Sequence, residues 1–277
     1  MSQELPFSPT DYSITAEGNF ALARVRPGLP PCERCDGSGR VTVVVDNVTT
    51  VGRCRCRMLH DRVELFNRAR IPARHANSTF RSFKRENSAQ ETAYDAVKSW
   101  LRTYRPGKLN RGLLLYGDVG RGKTHLLIAV LRELVFRHGV PVRFVEFTHL
   151  LWELREGFEK DQGEEVIIRP LTNVDVLAID DLGQSRRTEW EKAIVDVLVT
   201  RRHNQLKTLL VTTNYAPGPS KGFAETNLSI PENKQALVDR VPERVYSRLN
   251  EQCTFIPVFG DDYRIKMRNL APSHDAD

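Results

Sequence analysis

Through the latter part of this chain, apolar residues arrive in short unbroken runs. Those at 112–116, 142–146, 174–179, 207–213 and 253–258 have the length and residue content of strands buried on both faces. Between them the apolar period lengthens to that of a helix, over 123–138, 147–159, 188–204, 233–240 and 242–250. Leu126, Leu127, Val130, Leu131 and Leu134 give the clearest case. Pro242 suits the first turn of the last helix. Alternation of this kind predicts an α/β fold with a parallel sheet flanked by helices.

The first hundred residues are patterned differently. Residues 1–30 carry little periodicity and end at Pro27, Pro30 and Pro31, so they read as a partly ordered lead-in. Val41 to Val45 and Val48 to Val51, joined by Asp46-Asn47, predict a β-hairpin inside a cysteine-containing module at 32–57. A short helix is expected from Met58 to about Arg70, stopped near Ile71-Pro72. After an irregular basic stretch at 73–87, another helix is expected over 89–104 with Ala93, Val97 and Leu101 on one face. Arg105-Pro106-Gly107 ends it. Ala216 to Ser229 reads as a long exposed loop. Two domains are expected, an N-terminal module at 1–70 and a sheet domain at 71–277.

The turn after the first sheet strand holds Gly117, Asp118, Val119, Gly120, Arg121, Gly122, Lys123 and Thr124. This is G-x-x-x-x-G-K-[ST] between a strand and a helix, the context the phosphate-binding loop requires. Glycines let backbone N–H groups turn toward phosphates, and the helix N-terminus adds positive potential. Lys123 is expected to reach the β- and γ-phosphates, and the Thr124 hydroxyl to ligate Mg²⁺. A second strand, from Val174 to Ile179, ends in Asp180 and Asp181. Ligands of open α/β sheets bind at such C-terminal strand ends. There Asp180 is placed to hold Mg²⁺, and Asp181 to orient or deprotonate a water. A third strand, Leu209 to Thr213, ends in Asn214, whose amide is positioned for the γ-phosphate or that water.

These residues resemble the AAA+ ATPases, with Asn214 at the sensor 1 position. Within that group the chain looks like the bacterial replicative-helicase loaders of the DnaC/DnaI type and their IstB-like relatives. The strings that carry this are Ile71-Pro72-Ala73-Arg74, Thr79-Phe80-Arg81-Ser82-Phe83, His125-Leu126, Thr212-Thr213-Asn214-Tyr215, Val245-Tyr246-Ser247-Arg248-Leu249 and Gly260-Asp261-Asp262-Tyr263-Arg264. Together they span roughly residues 58–265. The resemblance implies an ATPase with Arg248 as an arginine finger lent to the neighbouring subunit, and hence self-association through the ATP sites. It further implies a hexameric replicative DNA helicase and single-stranded DNA as partners, and Phe80 and Phe83 beside adenine, against plain core packing. Two departures stand out. Asp181 occupies a position where most AAA+ proteins carry Glu, which implies slow turnover. Few residues follow Arg248, so no C-terminal helical lid is expected. An IstB-like transposition helper acting on duplex DNA is the alternative, and a third is a zinc adaptor that binds ATP without turnover.

Five cysteines are present, and four of them fall at Cys32, Cys35, Cys54 and Cys56. Two thiol pairs brought together by a hairpin suit a tetrahedral Zn²⁺ site, with His60 in reserve. The motif Cys32 to Gly39 also looks like a zinc half-repeat of DnaJ-type chaperones. Cys253, between strand-like residues, reads as a buried structural thiol. From Arg53 to Arg85 ten Lys or Arg face two acids, more than the whole chain's net +6. That excess fits contact with DNA, or it offsets the negative charge of a four-thiolate zinc centre through Arg53, Arg55 and Arg57. The resemblance implies that this region grips a protein partner. On the helix at 147–159, Phe147, Leu150, Leu151, Leu154 and Phe158 follow the helical period, and the core reading is the favoured one. Against it, the resemblance implies that this neighbourhood faces single-stranded DNA, with Arg155, Lys160 and an aromatic to steer and stack a strand. No apolar run reaches the ~18 residues of a membrane span. Met1 to Thr10 lacks a secretory pattern, so a cytoplasmic protein is expected.

Overall fold

A computed structural model describes residues 7–45, 48–159, 163–184, 186, 188–218 and 236–263. The chain divides into two compact units, Met1–Asn77 with Leu131–Val142, and Ser78–Val130 with Arg143–Asp277.

The first unit opens with a hairpin where little order was expected. Strand β1 (Tyr12–Glu17) pairs antiparallel with β2 (Phe20–Val25), turning at Gly18-Asn19. Gly18 has φ +55°, which the tight two-residue turn demands. Ala21 and Ala23 are buried, and Asn67 closes the outer edge of β2 by accepting from Ala23 N and donating to Ala23 O. Strands β3 (Arg40–Val45) and β4 (Val48–Arg53) form the expected second hairpin, whose turn at 46–47 lies outside the described residues. Helix α1 (Arg57–Arg68) buries Leu59 and Phe66, and the Phe136 ring packs on Phe66 and stacks on Tyr12.

The second unit is built on a five-stranded sheet. Its strands are β5 (Gly112–Tyr116), β6 (Val142–Glu146), β7 (Val176–Asp180), β8 (Thr208–Thr213) and β9 (Cys253–Pro257), in the order β6-β7-β8-β5-β9. The pairs β5–β8, β5–β9 and β7–β8 are parallel. Every residue of β5, β7 and β8 is buried, which is why they appear as unbroken apolar runs. Helices α2 (Ser88–Thr103), α3 (Lys123–Glu133), α4 (Phe147–Glu159), α5 (Glu164–Asn173), α6 (Glu189–Asn204) and α7 (Glu243–Gln252) complete the chain. A short π-helical turn, Leu134–His138, extends α3 to its predicted end.

Three further elements, in the second unit, depart from expectation. Helix α5 is additional; Pro170 hid it, yet Ile168 and Leu171 bury one face while the turn around Pro170 faces water. The helix expected at 233–240 is reduced to a 3₁₀ turn at Leu237–Asp239, and 233–235 lie outside the described residues. Pro242 caps α7 from one residue ahead instead of sitting in its first turn. The loop expected at 216–229 is described only to Gly218.

One buried charge ties the base of this sheet together. Arg202 of α6 is fully buried and donates to the carbonyls of Leu171, Thr172, Val174, Asp175 and Thr208. It thereby satisfies the C-terminus of α5 and the entries to β7 and β8. Cys253 is buried at the start of β9, the structural thiol expected of it. No helix among the described residues is long and apolar enough to cross a membrane.

Candidate active site

Strand β8 lies between β5 and β7, so the C-terminal ends of all three converge on one patch. The phosphate loop leaves β5, Asp180 ends β7, and Asn214 follows β8. Gly117 takes φ +142°, and a Cβ there would run into the Val258 carbonyl. Gly122 takes φ +90°, with Phe83 where its Cβ would point. Both positions therefore require glycine.

Lys123 is 5% exposed, and its ammonium donates to Gly117 O at 2.9 Å, Asp118 O at 2.8 Å and Asn214 Oδ1 at 2.6 Å. All three ammonium protons are thus directed within the loop and onto the end of β8. Thr124 Oγ1 donates to Asp180 at 2.9 Å. Thr212, which the sequence did not single out, donates to Asp180 Oδ1 at 2.5 Å and accepts from Asp181 N at 2.9 Å. The β7–β8 register, with Ile179 opposite Val211, sets Thr212 beside the two carboxylates. Asp181 itself adopts φ +57°, in the left-handed region. Thr124, Asp180 and Lys123 are thus gathered as a magnesium–triphosphate complex requires, with hard oxygen ligands beside a cation.

Asp180 is fully buried, and its pKa is raised to about 6. Burial is the main cause; the charges of Asp181 and Glu146 add to it, and hydrogen bonds from Thr212 and Thr124 oppose it. The folded value exceeds the 3.8 of an unperturbed Asp, so the folded chain takes up this proton first as pH falls. That stabilisation is complete below the unperturbed value and is lost as pH rises through about 6. A divalent cation needs the carboxylate, so proton and metal compete. Mg²⁺ affinity is expected to fall about tenfold per pH unit below 6, and Asp180→Asn to abolish that limb. Metal titrations by calorimetry between pH 5 and 8 check both outcomes.

Arg248 stands apart from this cluster. It lies on α7, and its partner within the chain is Asp196 of α6, at 3.6 Å. Arg244, one turn earlier, holds the same carboxylate at 2.7 Å. Phe80 and Phe83 are buried and pack on the half-buried Tyr94, and Phe83 meets the His125 ring edge-on at 5.5 Å beside Gly122. The Gly260 to Tyr263 string runs along the loop, where Tyr263 N donates to Gly120 O at 3.1 Å; Arg264 lies outside the described residues.

On α4, Phe147, Leu150, Leu151 and Leu154 are core, and the Phe158 side chain and Lys160 lie outside the described residues. Trp152 is 58% exposed, with His149 beside it. Arg155 pairs with Glu191 and lies over Trp190.

In the first unit the sulfurs of Cys32, Cys35, Cys54 and Cys56 all lie within 4.8 Å of one another. Cys32 and Cys54 are 3.7 Å apart, and Cys35 and Cys56 3.4 Å. Four sulfurs about 2.3 Å from a tetrahedral zinc stand about 3.8 Å apart, so this donor set fits that ion. Gly39 N donates to Cys35 Sγ at 3.3 Å, the kind of outer contact that holds a thiolate ligand. His60 is exposed on α1 and outside the group. Arg53 pairs with Asp61 at 2.8 Å.

Comparison with known proteins agrees with this geometry. The replicative helicase loader DnaC of Escherichia coli K12 is 28% identical over 204 residues, 73% of this chain and 75% of the loader. Protein XkdC of the phage-like element PBSX of Bacillus subtilis is 26% identical over 248 residues, covering 86% and 85%. A crystal structure of the DnaC helicase loader superposes with a TM-score of 0.57 at 25% identity, over 67% of this chain and 99% of that one. The resemblance read from the motif strings is borne out, and the sheet is an AAA+ core. Residues 60–271 match the family described as IstB-like ATP binding protein, from the cysteine module's edge through every element that builds the nucleotide site, and the chain belongs to that family.

Proposed function

We propose that this protein is an ATP-dependent loader that delivers a hexameric replicative DNA helicase onto single-stranded DNA. The observation that carries the nucleotide half is the pair of hydrogen bonds, Lys123 to Asn214 and Thr124 to Asp180, at the C-terminal ends of neighbouring strands. The similarity to DnaC over most of both chains supports the helicase half.

Within this reading, Lys123 exchanges its carbonyl partners for β- and γ-phosphate oxygens. Thr124 and Asp180 hold Mg²⁺, which supplies charge neutralisation for the phosphates. Asn214 and Asp181 orient the attacking water. Arg248 leaves Asp196 to reach the γ-phosphate bound by the neighbouring subunit, so that hydrolysis requires assembly. Asp181, one methylene shorter than Glu, keeps turnover slow and suits a timer for release. The zinc module of residues 1–70 grips the helicase, and residues 71–277 form the ATPase domain. Trp152 is an exposed aromatic of α4 that would stack on a DNA strand.

The test uses the full-length protein, the host's replicative helicase and closed circular single-stranded DNA. Helicase is expected on the circles only with this protein and ATP, and to stay trapped with it when Arg248→Ala replaces wild type. No helicase on the circles, with capture of a transposase on duplex DNA instead, would overturn the loader reading.

A further inference from the structure

Asp181 occupies a backbone conformation that a non-glycine residue seldom adopts, so something must hold it there. The turn from Asp181 to Gly183 is fastened to β8 on one side. Asp181 N donates to Thr212 Oγ1, Leu182 N to Thr212 O at 2.9 Å, and Thr213 Oγ1 to Leu182 O at 2.8 Å. On the other side stands Arg240. Its Nε and Nη2 both donate to the Gly183 carbonyl, at 2.9 and 2.6 Å. Its guanidinium also lies 4.7 Å from the centre of the Tyr215 ring, the residue after Asn214. Gly183 has φ +91°, and a Cβ on it would stand 3.2 Å from both Arg240 Cβ and the Tyr215 ring. The three residues are in close contact.

Arg240 is anchored in its turn. Its N–H closes the 3₁₀ turn by donating to Leu237 O at 2.9 Å, and Leu237 N donates to Ala216 O at 2.8 Å. One side chain therefore joins the loop after β7, the loop after β8 and the segment that leads into α7. The fork of two donors on one carbonyl, with a ring beneath, suits arginine and no other residue.

We propose that Arg240 is a positioning residue for hydrolysis. It fixes the Asp181–Gly183 turn against Tyr215, so that the Asp181 carboxylate and the Asn214 amide keep the mutual geometry that water attack needs. This rests on the ATPase reading above and adds a residue to it. Arg240 acts through backbone and ring, on the Gly183 carbonyl and on Tyr215. Its loss therefore moves turnover and leaves nucleotide affinity in place, because small displacements of a reacting group cost roughly 10- to 100-fold in rate.

The experiment compares wild type, Asp181→Asn, Arg240→Ala, Arg240→Lys and Tyr215→Leu. Steady-state ATP hydrolysis is measured beside equilibrium binding of a fluorescent ATP analogue and amide hydrogen exchange over residues 181–184. Arg240→Ala is expected to lower kcat by roughly 10- to 100-fold, keep the nucleotide Kd within about twofold and speed exchange in that turn. Arg240→Lys, with one donor direction in place of the fork, should recover part of kcat, and Tyr215→Leu should show a smaller loss. A kcat unchanged in Arg240→Ala while Asp181→Asn lowers it overturns the positioning role alone. Equal loss of affinity and turnover, with no recovery by Lys, also overturns it and makes Arg240 merely structural. Wild type and Asp181→Asn hydrolysing alike would remove the catalytic role of Asp181, and this positioning role with it, whereas no hydrolysis by the wild type would remove the ATPase reading itself.

Discussion

Stripping the metal, or replacing Cys54 by Ser, is expected to release the β3–β4 hairpin. Val44, Val48 and Val51 are 67%, 65% and 67% exposed, so the hairpin has little apolar contact of its own. An isolated two-stranded ribbon is marginal in water. What fixes its base is the thiol cluster and the Cys54 N to Gly39 O hydrogen bond of 2.9 Å beside it. Structural zinc in small modules supplies about 10–16 kcal/mol of apparent binding free energy, far more than such a ribbon can gain by itself. Metal analysis is expected to give one zinc per chain. Chelation should bring fast amide exchange to residues 40–53 while the second unit keeps its melting transition. An unchanged exchange pattern after chelation, or no zinc in purified protein, would contradict this assignment.

Lys123→Ala is expected to reduce ATP turnover by more than about a hundredfold with the fold intact. A charge-assisted hydrogen bond contributes roughly 1.5–3 kcal/mol, and Lys123 offers its protons at the point where the triphosphate carries most charge. Its removal also frees the Gly117 and Asp118 carbonyls and the Asn214 amide from their shared donor. Asp118 is exposed and Asn214 half-buried, and only the Gly117 carbonyl is left without its donor in a buried place, so the stability cost should stay at about 1–2 kcal/mol, a shift of a few degrees in Tm. Parallel thermal melts and turnover assays separate the two effects. Lys123→Arg should not restore activity, because a planar fork cannot replace a compact ammonium inside this loop.

The strands of the sheet were legible because burial on both faces writes itself as an unbroken apolar run. Helix α5 was not, since Pro170 argues against a helix locally while the packing of Ile168 and Leu171 outweighs it. The β1–β2 hairpin escaped because its buried residues, Ala21 and Ala23, are small and leave a faint apolar signal. Within the candidate site, Lys123, Thr124 and Asp180 could be named because each stands in a contiguous motif. Thr212 stands in a motif string but carries no role there, and Arg240 stands in none. Thr212 acts through strand register, 32 residues from Asp180, and Arg240 through a carbonyl 57 residues away. The five carbonyls around Arg202 likewise meet only after α5, β7 and β8 are assembled. Sequence patterns carry local chemistry well, but they do not carry which loops are brought side by side.

The claim beneath all of this is that Lys123, Thr124 and Asp180 make one Mg²⁺-dependent triphosphate site. Calorimetric titration of ATP into the metal-loaded protein, with and without Mg²⁺, tests it most directly. One site per chain is expected, weakened when Mg²⁺ is withheld and lost in Lys123→Ala. No heat of binding in the wild type, or equal affinity with Ala at position 123, would contradict it.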